Sequence, residues 1–156
     1  MHRRTSAFLA AISIPLLAVG VASATGPSGV TGDPQVMAAK LPDAIKVNAD
    51  GVKFQTKAPS DVSVLNLTVE PGGTTGWHSH PGLAVIAVSE GTGKLYLADC
   101  SSKTFHAGQA FAESGDDEPT LFRNESSSPV LLTVTFIAPR GEDIIHGETG
   151  PGCGLS

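Results

Sequence analysis

Positive charge is scarce in this 156-residue sequence. It has 10 lysines and arginines against 15 acidic residues, and its net charge is −5 with histidine neutral. Beyond a pair of arginines at the N-terminus, it has no cluster of basic residues. Nucleic acids and anionic membrane surfaces are bound mainly by neutralising their phosphate charge. The sequence therefore predicts neither nucleic acid nor an anionic membrane as a partner.

A helical period is also missing. From Leu41 onward no apolar repeat of helical spacing lasts for three turns, and short apolar runs such as 83–88 and 130–137 alternate with Gly, Pro, Ser and Asp. The pair Asp50-Gly51 is typical of a two-residue hairpin turn. These patterns predict an all-β domain, either a sandwich or a closed barrel with room for a central cavity.

A hydrophobic run long enough to span a membrane is the third absence. The apolar run at residues 7–22 is shorter than the about 20 residues of a transmembrane helix. It follows the two arginines and ends in Ala22-Ser23-Ala24, the pattern of a cleavable secretory signal. We therefore predict a signal peptide at residues 1–24 and a secreted or otherwise extracytoplasmic product without a stable membrane anchor. An uncleaved anchor is the alternative.

Cysteine is limited to Cys100 and Cys153. An even number of cysteines in an exported chain predicts a disulfide between them, because thiols oxidise outside the cytoplasm. Such a bond would tether the glycine-rich tail at residues 147–156. Two free buried thiols or a two-cysteine metal site are the alternatives, although no further ligands stand close to either cysteine in the sequence.

Two histidines carry the clearest chemical signal. His78 and His80 are two residues apart, so on a strand their imidazoles project from the same face. Two neutral imidazoles form half of a first coordination shell for a divalent transition metal such as Zn, Fe, Mn, Ni or Cu. A chance pair on a solvated turn is the alternative. Trp77 directly precedes His78, so on a strand its side chain projects from the opposite face, where core packing is its expected role.

The segment from Gly72 to Asn124 resembles the two motifs of the cupin superfamily, and the wider chain looks like a group of small exported bacterial cupin-domain proteins. The residues that match the first motif are Gly72, His78, His80 and Gly91, and those that match the weaker second motif are Gly108, Phe111 and Asn124. The resemblance implies a double-stranded β-helix (cupin or jelly-roll) barrel with ligands facing its interior. It also allows a homodimer, because cupins often pair through sheet edges.

The sequence departs from the family at two expected metal ligands. The family glutamate would stand at position 84 and the third histidine at position 120. The sequence has Ala84, which cannot bind a metal, and Thr120, whose hydroxyl is a poor ligand for divalent transition metals. His106, next to the Gly108 turn, is the most plausible additional ligand, although an exposed turn histidine is the simpler interpretation. A metal held by His78 and His80 alone is expected to bind weakly.

These observations predict four parts of the chain and two functions. The parts are the signal peptide at 1–24, a flexible segment at 25–40, a cupin barrel at 41–140 and a disulfide-tethered tail at 141–156. The favoured function is an exported protein that binds a divalent metal weakly, a small molecule in its barrel, or both. The alternative is a metal-dependent small-molecule enzyme of the dioxygenase or isomerase type that uses His78 and His80. Ligand count favours binding over catalysis.

Overall fold

The computed structural model describes residues 26–115 and 118–155, and the predicted signal peptide lies outside them. Within the described residues the regular structure is all β, as predicted, and no helix is long and apolar enough to cross a bilayer. The strands are β1 (Ser28–Leu41), β2 (Lys46–Ala49), β3 (Val52–Gln55), β4 (Ser60–Thr74), β5 (His78–Ser79), β6 (Leu83–Glu90), β7 (Thr92–Tyr96), β8 (Ser102–His106), β9 (Ala110–Ser114), β10 (Leu121–Arg123), β11 (Val130–Pro139) and β12 (His146–Gly147).

Eight of these strands form one nearly closed antiparallel sheet. Its hydrogen-bonded order is β8-β7-β10-β4-β11-β6-β9, with β1 paired to β4 outside this path. Strands β8 and β9 are the two ends of the order, so within the described residues the barrel has an unpaired seam between them. Two short sheets complete the fold, one formed by β12 and β5 and one by the β2–β3 hairpin.

Strand alternation builds the core of the barrel. In β11 the buried residues alternate with half-buried ones, and the buried series is Val130, Leu132, Val134, Phe136 and Ala138. Its neighbour β6 buries Ala84, Ile86 and Val88 in the same way and exposes Val85. Because successive side chains of a strand point to opposite faces, each strand supplies one row of apolar side chains to the interior.

The β2–β3 hairpin has the turn that the sequence predicted. Asp50 and Gly51 both have positive φ, at 52° and 81°, and they connect strands whose ends Ala49 and Val52 are paired. A two-residue turn with both central residues left-handed matches the right-handed twist of the flanking strands.

The flexible segment predicted at residues 25–40 is corrected by the structure. Strand β1, Ser28–Leu41, pairs antiparallel with β4 along its length, with register shifts near Val30, Pro34 and Val36. Nearly all of its side chains are exposed. The pairing therefore depends on backbone hydrogen bonds along the open side of β4. Because the side chains of β1 need not be apolar on one face, the sequence shows no apolar alternation from which the strand could be recognised.

The C-terminal tail is held against the barrel at several points. The structure contains the disulfide between Cys100 and Cys153, with a Cα–Cα distance of 5.4 Å. Strand β12 pairs with one edge of β5, where His146 is the partner of Ser79. The tail thus passes from the end of β11, across β5, which carries His78, to the turn that follows β7.

Candidate metal centre

The two histidines lie on β5 and in the turn that follows it. His78 forms a pair of backbone hydrogen bonds with Thr120, at 2.9 and 3.0 Å, which fixes β5 beside the start of β10. The rings of His78 and His80 are on the same side of the chain, with centroids 4.8 Å apart, and each residue is only 5% exposed. The spacing of the two residues thus brings their imidazoles together inside the barrel.

Glu113 joins the two histidines from β9 of the eight-stranded sheet. Its Oε2 lies 3.2 Å from Nε2 of His80 and 3.9 Å from Nε2 of His78. The three side chains are buried, and their ligand atoms all lie within 4.8 Å of one another. Donor atoms bound to one metal at 2.0–2.2 Å are about 3 to 4 Å apart. The cluster therefore has the ligand types and spacing of a metal site.

Sequence reasoning missed Glu113, although a signal for it was present. Ala84, where the family glutamate would stand, is the cross-strand partner of Glu113 in the β6–β9 pair. Cross-strand partners project to the same face, so a carboxylate on β9 reaches the space that one on β6 would have filled. Phe111, which matches the second motif, packs against the core from β9, and strand alternation from it places Glu113 on the same inward face.

Backbone carbonyls fix the orientation of both imidazoles. Nδ1 of His78 is 2.9 Å from the carbonyl oxygen of Gly76, and Nδ1 of His80 is 2.7 Å from that of Ile144. A carbonyl oxygen only accepts, so each Nδ1 carries the hydrogen, and in a neutral imidazole Nε2 is then left with a lone pair. Both Nε2 atoms face Oε2 of Glu113.

Thr120 fixes the carboxylate in turn. Its hydroxyl donates to Oε1 of Glu113 at 2.5 Å and leaves Oε2 directed at the histidines. Three lone pairs therefore converge in a buried space. Acceptor atoms so close repel one another unless a proton or a cation lies between them, and the repulsion is strong where water is excluded. The residues present thus fit a divalent cation.

Burial and mutual charge shift the pKa values of this cluster. Burial lowers the pKa of His78 from 6.5, and the charge of Glu113 only partly opposes that shift. Burial by itself would raise the pKa of Glu113 from 4.5, but the electrostatic attraction of the neighbouring His80 and His78 rings and the hydrogen bond from the Thr120 hydroxyl together bring it below that value. Both shifts favour an ionised Glu113 beside an unprotonated His78.

These pKa shifts predict that acid destabilises the metal-free protein. Folded His78 has a lower pKa than its unfolded form, so the unfolded state binds more protons and stability falls as the pH drops through about 6.5. The lowered pKa of Glu113 adds a further loss below about 4.5. Melting temperatures in a chelator between pH 8 and pH 4 test this. His78→Gln should flatten the change between pH 7 and pH 5, and a native melting temperature that rises over that interval would contradict the prediction.

Two empty spaces adjoin the cluster. A cavity of about 60 Å³ lies against His78, His80 and Glu113, with walls mainly of apolar side chains. A larger cleft of about 530 Å³ lies along the β8–β9 seam and is lined by Phe105, Phe111 and Glu113, among others. Phe111 and Glu113 line both spaces, so these two side chains lie between the cleft and the inner cavity.

The other candidate ligands lie elsewhere. His106 is exposed at the end of β8, and its Nδ1 is 3.0 Å from Oγ1 of Thr92. His146, on β12, is also exposed. Within the described residues neither joins the three-residue cluster. Trp77 is 1% exposed and contacts Gly150 of the tail, in line with a packing role.

A nearly closed all-β barrel with two imidazoles and a carboxylate buried inside it is the architecture of a cupin-type metal centre. The family model for the cupin domain matches residues 65–136, so this segment of the chain is a cupin domain. The recognition made from the two motifs is therefore confirmed.

Solved structures that resemble this chain include a polyketide cyclase and a domain of a transcriptional regulator. The polyketide cyclase RemF from Streptomyces resistomycificus aligns with a TM-score of 0.53 and 22% identity over 81% of this chain and 78% of its own. The Cupin_2 domain of an XRE family transcriptional regulator from Enterobacter cloacae aligns with a TM-score of 0.47 and 20% identity, over 72% of this chain and 100% of its own. At 22% identity the likeness to the cyclase shows the fold alone. A search of curated proteins found no match.

Proposed function

We propose that this protein binds a divalent transition metal through His78, His80 and Glu113, and a small molecule at the side of the metal that the protein leaves open. The observation that carries the proposal is the convergence of three lone pairs, each fixed by its own hydrogen bond, in a buried space. The two-histidine site expected from the sequence thus gains a charged third ligand, so binding should be tighter than two imidazoles alone would allow.

Mixed imidazole and carboxylate ligands suit several divalent metals, including Zn, Fe and Mn. A bound metal would supply Lewis acidity toward an oxygen atom of the small molecule. The protein contributes the fixed tautomers of His78 and His80, a carboxylate held by Thr120, and apolar walls that exclude water. The cavity of about 60 Å³ has room for a few waters or a molecule of that size, so a larger ligand must extend into the cleft along the seam.

The second candidate is a metal-dependent small-molecule enzyme. The observation in its favour is the ligand number, because catalytic metal sites commonly have three protein ligands and an open position, whereas structural zinc sites are closed by four. Two histidines with one carboxylate also form the ligand set of many non-haem iron oxygenases. Turnover of a small oxygen-bearing substrate by the metal-loaded protein would distinguish this function from binding alone.

We also propose that the protein works outside the cytoplasm. The Cys100–Cys153 disulfide supports this location, since such bonds persist mainly in oxidising compartments. The signal peptide at residues 1–24 and a homodimer formed through sheet edges remain proposals from the sequence and the family.

Metal analysis of the purified native protein tests the proposed function. We expect elemental analysis to find close to one transition-metal ion per chain, and Co²⁺ added to chelator-treated protein to bind at one site with a visible absorption band. His78→Ala combined with His80→Ala should remove both signals, whereas His106→Ala, as the matched control, should leave them unchanged. Failure of the native protein to bind any of Co²⁺, Zn²⁺, Mn²⁺ or Fe²⁺ would refute the proposal.

A further inference from the structure

We infer that the disulfide-tethered tail is a functional part of the metal centre: it orients His80, and it makes tight metal binding depend on the Cys100–Cys153 bond. This inference rests on the proposed metal site. It goes further by assigning a role in metal affinity to residues 141–155, none of which supplies a ligand.

The tail contacts β5, the strand that carries His78 and leads into the turn with His80. Gly147 of β12 pairs with His78, and the neighbouring pair is His146 with Ser79. The side chain of Ser79 also donates to Oε1 of Glu148 at 2.8 Å. Strand β5 is therefore held between β12 on one edge and Thr120 on the other, and its position depends on both.

One tail atom acts directly on a candidate ligand. The carbonyl oxygen of Ile144 accepts the hydrogen of Nδ1 of His80 at 2.7 Å, so it selects the tautomer whose Nε2 faces Glu113. The next residue, Ile145, lines the cavity beside the cluster. Hydrogen bonds to the far nitrogen of a ligating histidine fix ring orientation and raise ligand basicity, and their loss typically costs about 10- to 100-fold in metal affinity.

Besides the disulfide, the tail is attached by the packing of Ile144 against the core and by a short strand pairing with a few hydrogen bonds. Strand β12 has two residues, and most of the tail is exposed. Beyond it, the backbone N–H of Glu148 donates to the carbonyl of Trp77 at 2.9 Å, and Gly150 lies against the Trp77 ring. The disulfide joins Cys153, near the far end, to Cys100 in the turn after β7. Without this bond the tail should be held less firmly against β5, because so short a strand pairing is only marginally stable.

The Cys100–Cys153 bond can form by thiol–disulfide exchange with an oxidant that carries a disulfide. The thiols of Cys100 and Cys153 give up two protons and two electrons as their S–S bond forms, and the disulfide of the oxidant takes them up and leaves as two thiols. The site then acquires its full affinity where such oxidants operate, after the chain has left a reducing compartment.

The test compares Co²⁺ binding by the native protein and by Cys100→Ser/Cys153→Ser, both at a temperature well below their melting points. We expect the double variant to bind Co²⁺ about 10- to 100-fold more weakly. The Nδ1–H resonance of His80 in ¹⁵N–¹H spectra should be protected from exchange in the native protein and lost in the variant. Val130→Ala is the control for stability loss, because this core residue lies at the far end of β11; it should melt earlier yet keep its affinity.

A second variant moves the tail and keeps the disulfide. A Cβ at Gly150 would lie 2.7 Å from Cδ1 of Trp77, so Gly150→Val must push the tail off the ring, and we expect it to weaken Co²⁺ binding as well. This variant decides the matter if the serine variant does not fold. Native-like affinity in a folded tail variant would overturn the inference and leave the metal site intact. A native protein that binds no Co²⁺ would instead overturn the proposed function.

Discussion

Glu113→Gln is expected to lower the affinity for Co²⁺ by about 100-fold or more, because it removes the charged ligand of the cluster and keeps its shape. Loss of a partner that only supports a ligand already costs about 10- to 100-fold. Isothermal titration of the chelator-treated proteins measures the difference. Affinity that is unchanged in Glu113→Gln would show that the carboxylate is not a ligand.

The pairing of Ala84 with Glu113 allows a sharper control. Ala84→Glu/Glu113→Ala moves the carboxylate across the β6–β9 pair to the position where the family has it, and it should recover much of the lost affinity. Ala84→Glu alone should destabilise the protein, because it places two carboxylates side by side at a fully buried position. A double variant that folds and binds no better than Glu113→Ala would contradict the assigned register.

Thr120 supplies the graded control. Thr120→Val removes the hydroxyl that holds Oε1 of Glu113, so affinity should fall by about 10-fold, less than for the loss of the ligand itself. Thr120→Ser should restore it. Equal affinities in the valine and serine variants would mean that the hydrogen bond does not position the carboxylate.

Asn124→Ala is expected to lower the melting temperature by about 10 °C or more, the largest change in stability that we predict for one substitution. Asn124 is fully buried, and its Nδ2 donates to the carbonyls of Val69 and Ser128, each at 2.8 Å. Its Oδ1 accepts from the backbone and hydroxyl of Ser126. The bond to Val69 is buried and those to Ser126 and Ser128 are partly buried, so at about 1–3 kcal/mol for each buried group left without a partner, and less for the others, the loss is about 3–5 kcal/mol.

The same substitution at an exposed asparagine is the matched control. Asn66 lies on the outer face of β4, where its Oδ1 accepts from Thr133, and Asn66→Ala should shift the melting temperature by only about 1 or 2 °C, because water can replace the lost partner. Thermal melts of the two variants, followed by circular dichroism, make the comparison. Similar shifts for both variants would show that the hydrogen bonds of Asn124 to β4 and to the turn at residues 126–128 do not stabilise the fold more than an exposed hydrogen bond does.

Much of the barrel could be predicted because the information is local. The alternation in β11, the Asp50-Gly51 turn and the two-residue spacing of His78 and His80 each depend on the period of a single strand or turn. The glycine and histidine spacing was specific enough to identify the family without any knowledge of which strands are neighbours. The choice of disulfide partners was equally simple, since the chain has only two cysteines.

The prediction of a flexible segment at residues 25–40 was wrong because the strand found there leaves no local pattern. A strand that pairs through its backbone while its side chains stay in solvent has no apolar period, and glycine and proline in it resemble a linker. Its strand structure follows from the open edge of β4, which becomes available only when the sheet forms.

Single-strand patterns thus determined an all-β chain with two inward imidazoles, whereas tertiary structure alone decided what meets them. Glu113 is more than thirty residues from the histidines, and it completes the cluster because β6 pairs with β9 in a register that sets it opposite Ala84. The carbonyl of Ile144 reaches His80 because the tail returns across β5. Both contacts depend on which strands become neighbours, and that choice follows from the packing of the whole barrel, which no local period encodes.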